Sequence, residues 1–136
     1  MELSTYLFFN GQCADAFKFY EKCLGGKLEA IPYAGSPAQS DIPADWSDKI
    51  MHARLTIGDE ALMGSDAPPG HYQQPQGFSV SVSVRDVADG ERIFNELSEG
   101  GKVQMPFTPT FWAAGFGMCV DRFGIAWMVN CEHGDK

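Results

Sequence analysis

His52 and Arg54 stand two residues apart in Lys49–Ile57 (KIMHARLTI), where apolar and polar residues alternate. That alternation is the signature of a half-buried strand. Met51, Ala53, Leu55 and Ile57 fall on one side, and His52, Arg54 and Thr56 on the other. An imidazole beside a guanidinium can hold a small anion or an oxygen-rich molecule, and an imidazole can also move a proton near neutral pH. Asp66 ends the next strand of the same hairpin. His52, Arg54 and Asp66 are therefore the candidates for proton transfer and anion holding. Each also has a plainer reading: a hydrogen-bonded structural His52, and an Arg54 paired with Glu29 on the neighbouring strand. Ser79, Ser81 and Ser83 share one face of Phe78–Val84 (FSVSVSV), and Asn130 adds an amide. Asp121-Arg122 reads as turn chemistry. His71 lies in a loop and His133 in the tail, so no HxH or HxxE pair exists, and a metal at His52 would need carboxylates from elsewhere. There is no P-loop and no GxGxxG.

The elements that must position these residues follow from the periodicity. Thr5–Phe9 is a short strand. From Cys13 to Leu24 the apolar residues fall at 13, 16, 17, 20 and 24, a helical stripe closed by Gly25-Gly26. Lys27–Tyr33 returns as a strand. Ala34–Asp48 is a loop by composition, with Trp46 as its anchor, or as a wall of a ligand site or dimer contact. Gly58-Asp59 turns Lys49–Ile57 into Glu60–Gly64. Asp66–Gly77, rich in Pro and Gly, reads as a linker. Asp86 is a fitting N-cap for a helix over Val87–Ser98, whose stripe runs through Gly90, Ile93, Phe94 and Leu97. Gly100-Gly101 ends it, and Lys102–Phe107 is a strand. Phe111–Val120 and Ile125–Val129 then form a hairpin about Asp121-Arg122-Phe123-Gly124. Its aromatics, Phe111, Trp112, Phe116, Phe123 and Trp127, predict the best-packed part of the fold. Within it, Ile125, Trp127 and Val129 are expected to face the helix, and Ala126, Met128 and Asn130 the opposite side. The tail Glu132–Lys136 is polar.

With 136 residues, 44% hydrophobic and 21% charged, the chain predicts one soluble domain. The net charge of −8 argues against nucleic acid or an anionic membrane as partner. The N-terminus lacks the basic and apolar regions of a signal peptide, so a cytoplasmic location is the expectation. Cys13, Cys23, Cys119 and Cys131 show no ligand spacing and read as buried thiols.

The two halves repeat. Ala14-Asp15 matches Ala88-Asp89, Phe19-Tyr20 matches Ile93-Phe94, and Gly25-Gly26-Lys27-Leu28 matches Gly100-Gly101-Lys102-Val103. Both run strand, helix, Gly-Gly, strand, hairpin. The fold class is α+β: two tandem βαβββ modules, about 1–66 and 78–132, joined by a linker over about 67–77 within a single domain spanning 1–136. The sheets are expected to make a cupped mixed sheet, with the helices on its outer face.

Three stretches carry a family resemblance: YLFFNGQCADAFKFYEKCLGGK, IMHARLTIGDEALMGSD, and FSVSVSV through DRFGIAWMVN. Together they resemble the vicinal oxygen chelate superfamily of glyoxalases, bleomycin-resistance proteins and extradiol dioxygenases, and within it the PhnB-like branch. The resemblance implies a homodimer and a cup that binds a small molecule. It also implies a divalent metal held by His, Gln or Glu, acting as a Lewis acid. Aligning the motifs puts those ligand positions at or near Thr5, near Gly64, and on Ser79 and Met128, none of them a ligand for Zn, Ni, Fe or Mn. Some PhnB-like members are labelled demethylubiquinone methyltransferases, but no glycine-rich nucleotide loop follows the first strand here.

The reading is therefore a small-molecule-binding protein of the bleomycin-resistance type, without a cofactor or the usual metal. Thr5, His52, Arg54, Ser79, Ser81, Met128 and Asn130 are its expected ligand contacts. The alternatives are an enzyme on a small oxygenated substrate, such as a lyase, isomerase or dioxygenase-like protein with a displaced metal or none, and a structural dimer module.

Overall fold

The structure is a computed structural model and describes residues 1–133; Gly134–Lys136, the end of the polar tail, lie outside the described residues. The chain divides into two compact units, Met1–Gln74 and the part from Pro75 onward. Each is a βαβββ module with one helix and a four-stranded mixed sheet.

In the first unit, β1 (Thr5–Phe9), α1 (Cys13–Leu24), β2 (Lys27–Pro32), β3 (Ile50–Ile57) and β4 (Glu60–Asp66) give the sheet order β1-β4-β3-β2. β1 runs parallel to β4, and the remaining pairs are antiparallel. Leu7 and Phe9 of β1, Ala53 and Leu55 of β3, and Leu62 of β4 are buried together with Ala16, Phe17 and Tyr20 of α1. Phe9 and Phe17 meet edge-on at 6.1 Å, and Phe17 and Tyr20 at 5.6 Å. Cys23 completes the buried stripe of α1, and Leu24 is half-buried. The loop before β3 forms two short 3-10 turns, Pro37–Asp41 and Ala44–Trp46. Trp46 is half-buried there, with Lys49 Nζ 5.8 Å from its ring centre.

In the second unit, β5 (Val80–Val84), α2 (Val87–Ser98), β6 (Lys102–Thr108), β7 (Gly115–Val120) and β8 (Ala126–Cys131) repeat the plan as β5-β8-β7-β6. Asp86 caps α2, accepting from the Asp89 N–H at 3.2 Å. Ile93, Phe94 and Leu97 of α2 are buried, as are Trp127, Val129 and Cys131 of β8 and the neighbouring Ile125. Gly117 belongs to this contact: a Cβ there would lie 2.7 Å from Phe94 Cε1.

Three expectations are corrected. β5 begins at Val80, so Phe78 and Ser79 precede the strand; Gly77, with φ near +85°, turns the chain just before them. β7 begins at Gly115, and Phe111–Ala114 form a turn instead of strand. The Thr110 hydroxyl accepts from the Trp112 and Ala113 N–H groups, which commits that backbone to a turn. The aromatics there are accordingly not a packed core: Phe111 is 92% exposed and Trp112 49%. β4 runs past Gly64 and ends on Asp66, the residue expected at the end of this strand.

Candidate functional site

One face of each sheet lies under its helix, and the other carries the candidate residues. On the first sheet the register places Tyr6 beside Met63, Met63 beside Arg54, and Arg54 beside Glu29. One step along the strands, Phe8 stands beside Ser65, and His52 beside Ile31. The Tyr6 hydroxyl lies 3.1 Å from Nδ1 of His52, and the two rings are 5.7 Å apart. Tyr6 also packs on Phe8 at 5.1 Å. Phe8 and Ile31 are half exposed, at 51% and 50%. The Arg54 guanidinium donates to Met63 Sδ at 3.7 Å, and among the described residues no ion pair joins it to Glu29, although the two are register partners. This face therefore presents one imidazole, one guanidinium, a phenol, the Glu29 carboxylate and exposed apolar surface together.

Thr5 is not part of it. Thr5 pairs with Leu62, on the helix side with Leu7 and Phe9. The near-complete burial of Leu7 and Phe9 fixes that parity, so Tyr6 and Phe8 are the residues of β1 that look outward. Gly64 also lies on the helix side, where a Cβ would stand 2.7 Å from the Leu7 carbonyl oxygen and 2.8 Å from Phe17 Cε1. Sequence reasoning missed Tyr6 and Phe8 because TYLFF is apolar or aromatic at four of five positions, and period two leaves no mark on such a run.

The open face of the second sheet has two clear rows. Ser81, Met128, Met118 and Met105 occupy successive strands in register, and so do Ser83, Asn130, Phe116 and Thr108. Ser81, Met128 and Asn130 thus share a face, with Ala126, as the sequence implied. Ser79 precedes β5 and is half-buried. Trp112 stands edge-on to Phe116 at 5.4 Å.

Asp66 takes a different part. It is buried on the helix side. Its Oδ1 accepts from the Gly11 and Cys13 N–H groups, both at 2.9 Å, and its Oδ2 from the Ile50 N–H at 2.8 Å. Cys13 is the first residue of α1, and Gln12, the local cap position, makes no side-chain cap bond. Asp66 therefore caps α1 from 53 residues away, with its charge at the positive end of the helix dipole. It is turned away from His52 and Arg54, and its oxygens are committed to backbone. Asp121 is its counterpart at the β7–β8 turn. It accepts from the Phe123 and Ile125 N–H groups at 2.8 and 3.0 Å and from Trp127 Nε1 at 2.8 Å. A buried cysteine accompanies each. Burial, and then the charge of Asp66, pushes the Cys13 thiol far up; burial, and then Asp121, pushes Cys119 up to about 11. Neither is a ready nucleophile at neutral pH.

A divalent metal of the kind the resemblance implies does not fit these residues. Thr5, Gly64, Ser79 and Met128 offer no strong donor set. Moving each position by one residue gives Tyr6, Met63 or Ser65, Phe78 or Val80, and Trp127 or Val129, which restores none. Among the described residues no group of three or more His, Cys, Asp or Glu side chains is placed to hold an ion. His52 stands as a lone imidazole with Nδ1 beside a phenol.

The model of the Glyoxalase/Bleomycin resistance protein/Dioxygenase superfamily matches residues 3–129. Protein YjdN of Escherichia coli (strain K12) is 34% identical over 139 residues, covering 96% of this chain and 95% of its own. Protein PA1353 from Pseudomonas aeruginosa, a crystal structure, is 56% identical with a TM-score of 0.89, over 97% of this chain and 98% of that one. The PhnB protein from Bacillus cereus, at 19% identity, shares the fold with a TM-score of 0.76 over 96% and 99%.

Proposed function

Since this chain belongs to the Glyoxalase/Bleomycin resistance protein/Dioxygenase superfamily, we propose that it is a small-molecule-binding protein that holds an oxygenated, anionic ligand without a metal. The carrying observation is the open face of the first sheet. Arg54 and His52 share it with Tyr6, and Phe8 and Ile31 leave apolar surface around them. A carboxylate can take two parallel bonds from the Arg54 guanidinium, which among the described residues bonds to the Met63 thioether alone. The body of the ligand then covers Tyr6 and Phe8, removing apolar surface from water. His52 supplies a further donor when its ring carries the proton.

The experiment is a titration of aromatic carboxylates, beginning with 2-naphthoate, followed by calorimetry and by the melting temperature. Binding raises the melting temperature, and Arg54→Ala weakens it roughly ten- to hundredfold, the worth of a charged hydrogen bond. If no carboxylate raises the melting temperature of the wild-type protein, the reading is wrong. Elemental analysis of untagged protein is the companion test: one equivalent of Ni, Zn, Mn or Fe per chain, lost in His52→Ala, would contradict metal-free binding. The protein is expected to act as a cytoplasmic homodimer, and sedimentation as a monomer at micromolar concentration would refute the dimer.

The Tyr6–His52 contact favours one second reading, an enzyme in which His52 is the acid or base. A hydroxyl on Nδ1 fixes the ring and leaves Nε2 for the substrate. Turnover of an oxygenated substrate that falls with His52→Gln while 2-naphthoate still binds would establish it.

A further inference from the structure

The second sheet has its own open face, and its chemistry is unlike that of the first. Across β5, β8, β7 and β6 the register reads Ser81, Met128, Met118, Met105 in one row and Ser83, Asn130, Phe116, Thr108 in the next. None of these eight side chains is ionisable; Lys102 stands only at the margin, opposite Val120. The hydroxyls and the amide gather at the β5 side, and the thioethers and the Phe116 ring at the β7 side. Met105 is 41% exposed, and Met118 and Met128 are half-buried. Three methionines abreast on three strands make an unusual surface. Their side chains are flexible and polarisable, and thioethers pack well against aromatic rings. A patch three strand spacings wide and two side-chain rows deep measures roughly 14 Å by 7 Å, room for a molecule of two fused rings.

We infer that this face is a binding site for a neutral, planar aromatic molecule bearing a hydroxyl or carbonyl on one edge. The ring system lies on Met105, Met118 and Met128, and the polar edge meets Ser81, Ser83 and Asn130. The neutrality of the ligand follows from the face itself, since a carboxylate placed there would lose water and find no cation among those eight residues. The inference rests on the small-molecule reading above and adds to it a ligand class and a second set of contacts.

The test is NMR of protein labelled in its methionine methyl groups, titrated with 2-naphthol below pH 8, where the compound is neutral. The chain has six methionines, so the methyl signals are few enough to assign one by one. Saturable upfield shifts of Met105, Met118 and Met128 are expected, with Met1 and Met51 unmoved. Met118→Lys is expected to weaken binding by about tenfold or more, because its charge must be desolvated under the ring. Met105→Lys, on an edge strand with an exposed side chain, changes binding in the same direction where folding is not at stake. The inference is overturned by shifts confined to Met63, or by shifts that follow protein concentration without 2-naphthol, the mark of a second copy on this face. It is also overturned if 2-naphthoate moves the His52 ring signals while 2-naphthol leaves the methionine row unmoved, and in that case the reading of the first face survives. If neither compound binds, both are removed.

Discussion

Tyr6, Met63, Arg54 and Glu29 form a row across the open face of the first sheet, and Ser81, Met128, Met118 and Met105 form the equivalent row across the second. The helix-covered faces of the same strands differ far less. Under α1 lie Leu7, Phe9, Leu55 and Leu62, and over β7 and β8 α2 covers Cys119, Trp127, Val129 and Cys131. Packing against a helix constrains volume and shape closely, so after a duplication that side changes within narrow bounds. The open side has no such constraint and is where ligand chemistry diverges. One module keeps an imidazole and a guanidinium; the other keeps thioethers, hydroxyls and an amide. The buried carboxylates continue the parallel, since Asp66 and Asp121 both accept from N–H groups but tie down different things. Asp66 joins the start of α1 to β3 and β4, whereas Asp121 holds its own turn and the Trp127 indole.

The largest effects are expected from breaking those carboxylates. Asp66→Ala and Asp121→Ala each leave buried N–H groups unsatisfied, and each is expected to cost about 3–5 kcal/mol in urea denaturation. Hydrogen exchange then separates them. Asp66→Ala speeds exchange first in the opening turn of α1 and at Ile50, and Asp121→Ala in the β7–β8 turn. Loss confined to the same segments in both variants would contradict two separate locks. Gly64→Ala comes next, at about 1–3 kcal/mol, because the new methyl meets Leu7 and Phe17. A neutral result would mean that Gly64 faces outward and that the register of β4 is wrong by one residue.

The smallest effect is one of pH. The Cys119 thiol is raised from 9.0 to about 11 in the folded protein, mainly by burial. A raised folded value means that its contribution is complete below about pH 9 and lost as pH climbs towards 11, since the unfolded thiol ionises first. Cys13 is shifted the same way and further. Stability is thus expected to fall across that window, with the loss reduced in Cys119→Ala. At pH 8 none of the four buried thiols should react with a disulfide reagent until denaturant is added.

Much of the fold was legible from sequence. Both helices start and stop where the apolar stripe and the Gly-Gly pairs place them, and the alternation in β3 put His52 and Arg54 on the correct side. What period two cannot read is a strand apolar at nearly every position, so Tyr6 and Phe8 went unseen, and Thr5 was named through the aligned motifs of the resemblance. Asp66 was legible as a carboxylate at a strand end but not as a helix cap, because its partners lie 53 and 55 residues away. The Phe111–Trp112 pair looked like core because aromatic residues cluster there, while the Thr110 turn that turns them outward rests on one hydroxyl. The methionine row was half visible: Met128 was expected on this face, and Met118 stands directly beside it across β7 and β8, but Met105 joins them only through β6 bulges that no local pattern announces.

The most direct test of two faces with different chemistry is a paired calorimetric titration of 2-naphthoate and 2-naphthol against the wild-type protein, Arg54→Ala and Met118→Lys. Arg54→Ala is expected to weaken 2-naphthoate roughly ten- to hundredfold and leave 2-naphthol within about twofold, while Met118→Lys weakens 2-naphthol by about tenfold and spares 2-naphthoate. Equal losses of both compounds in both variants, or no binding of either compound to the wild-type protein, would contradict it.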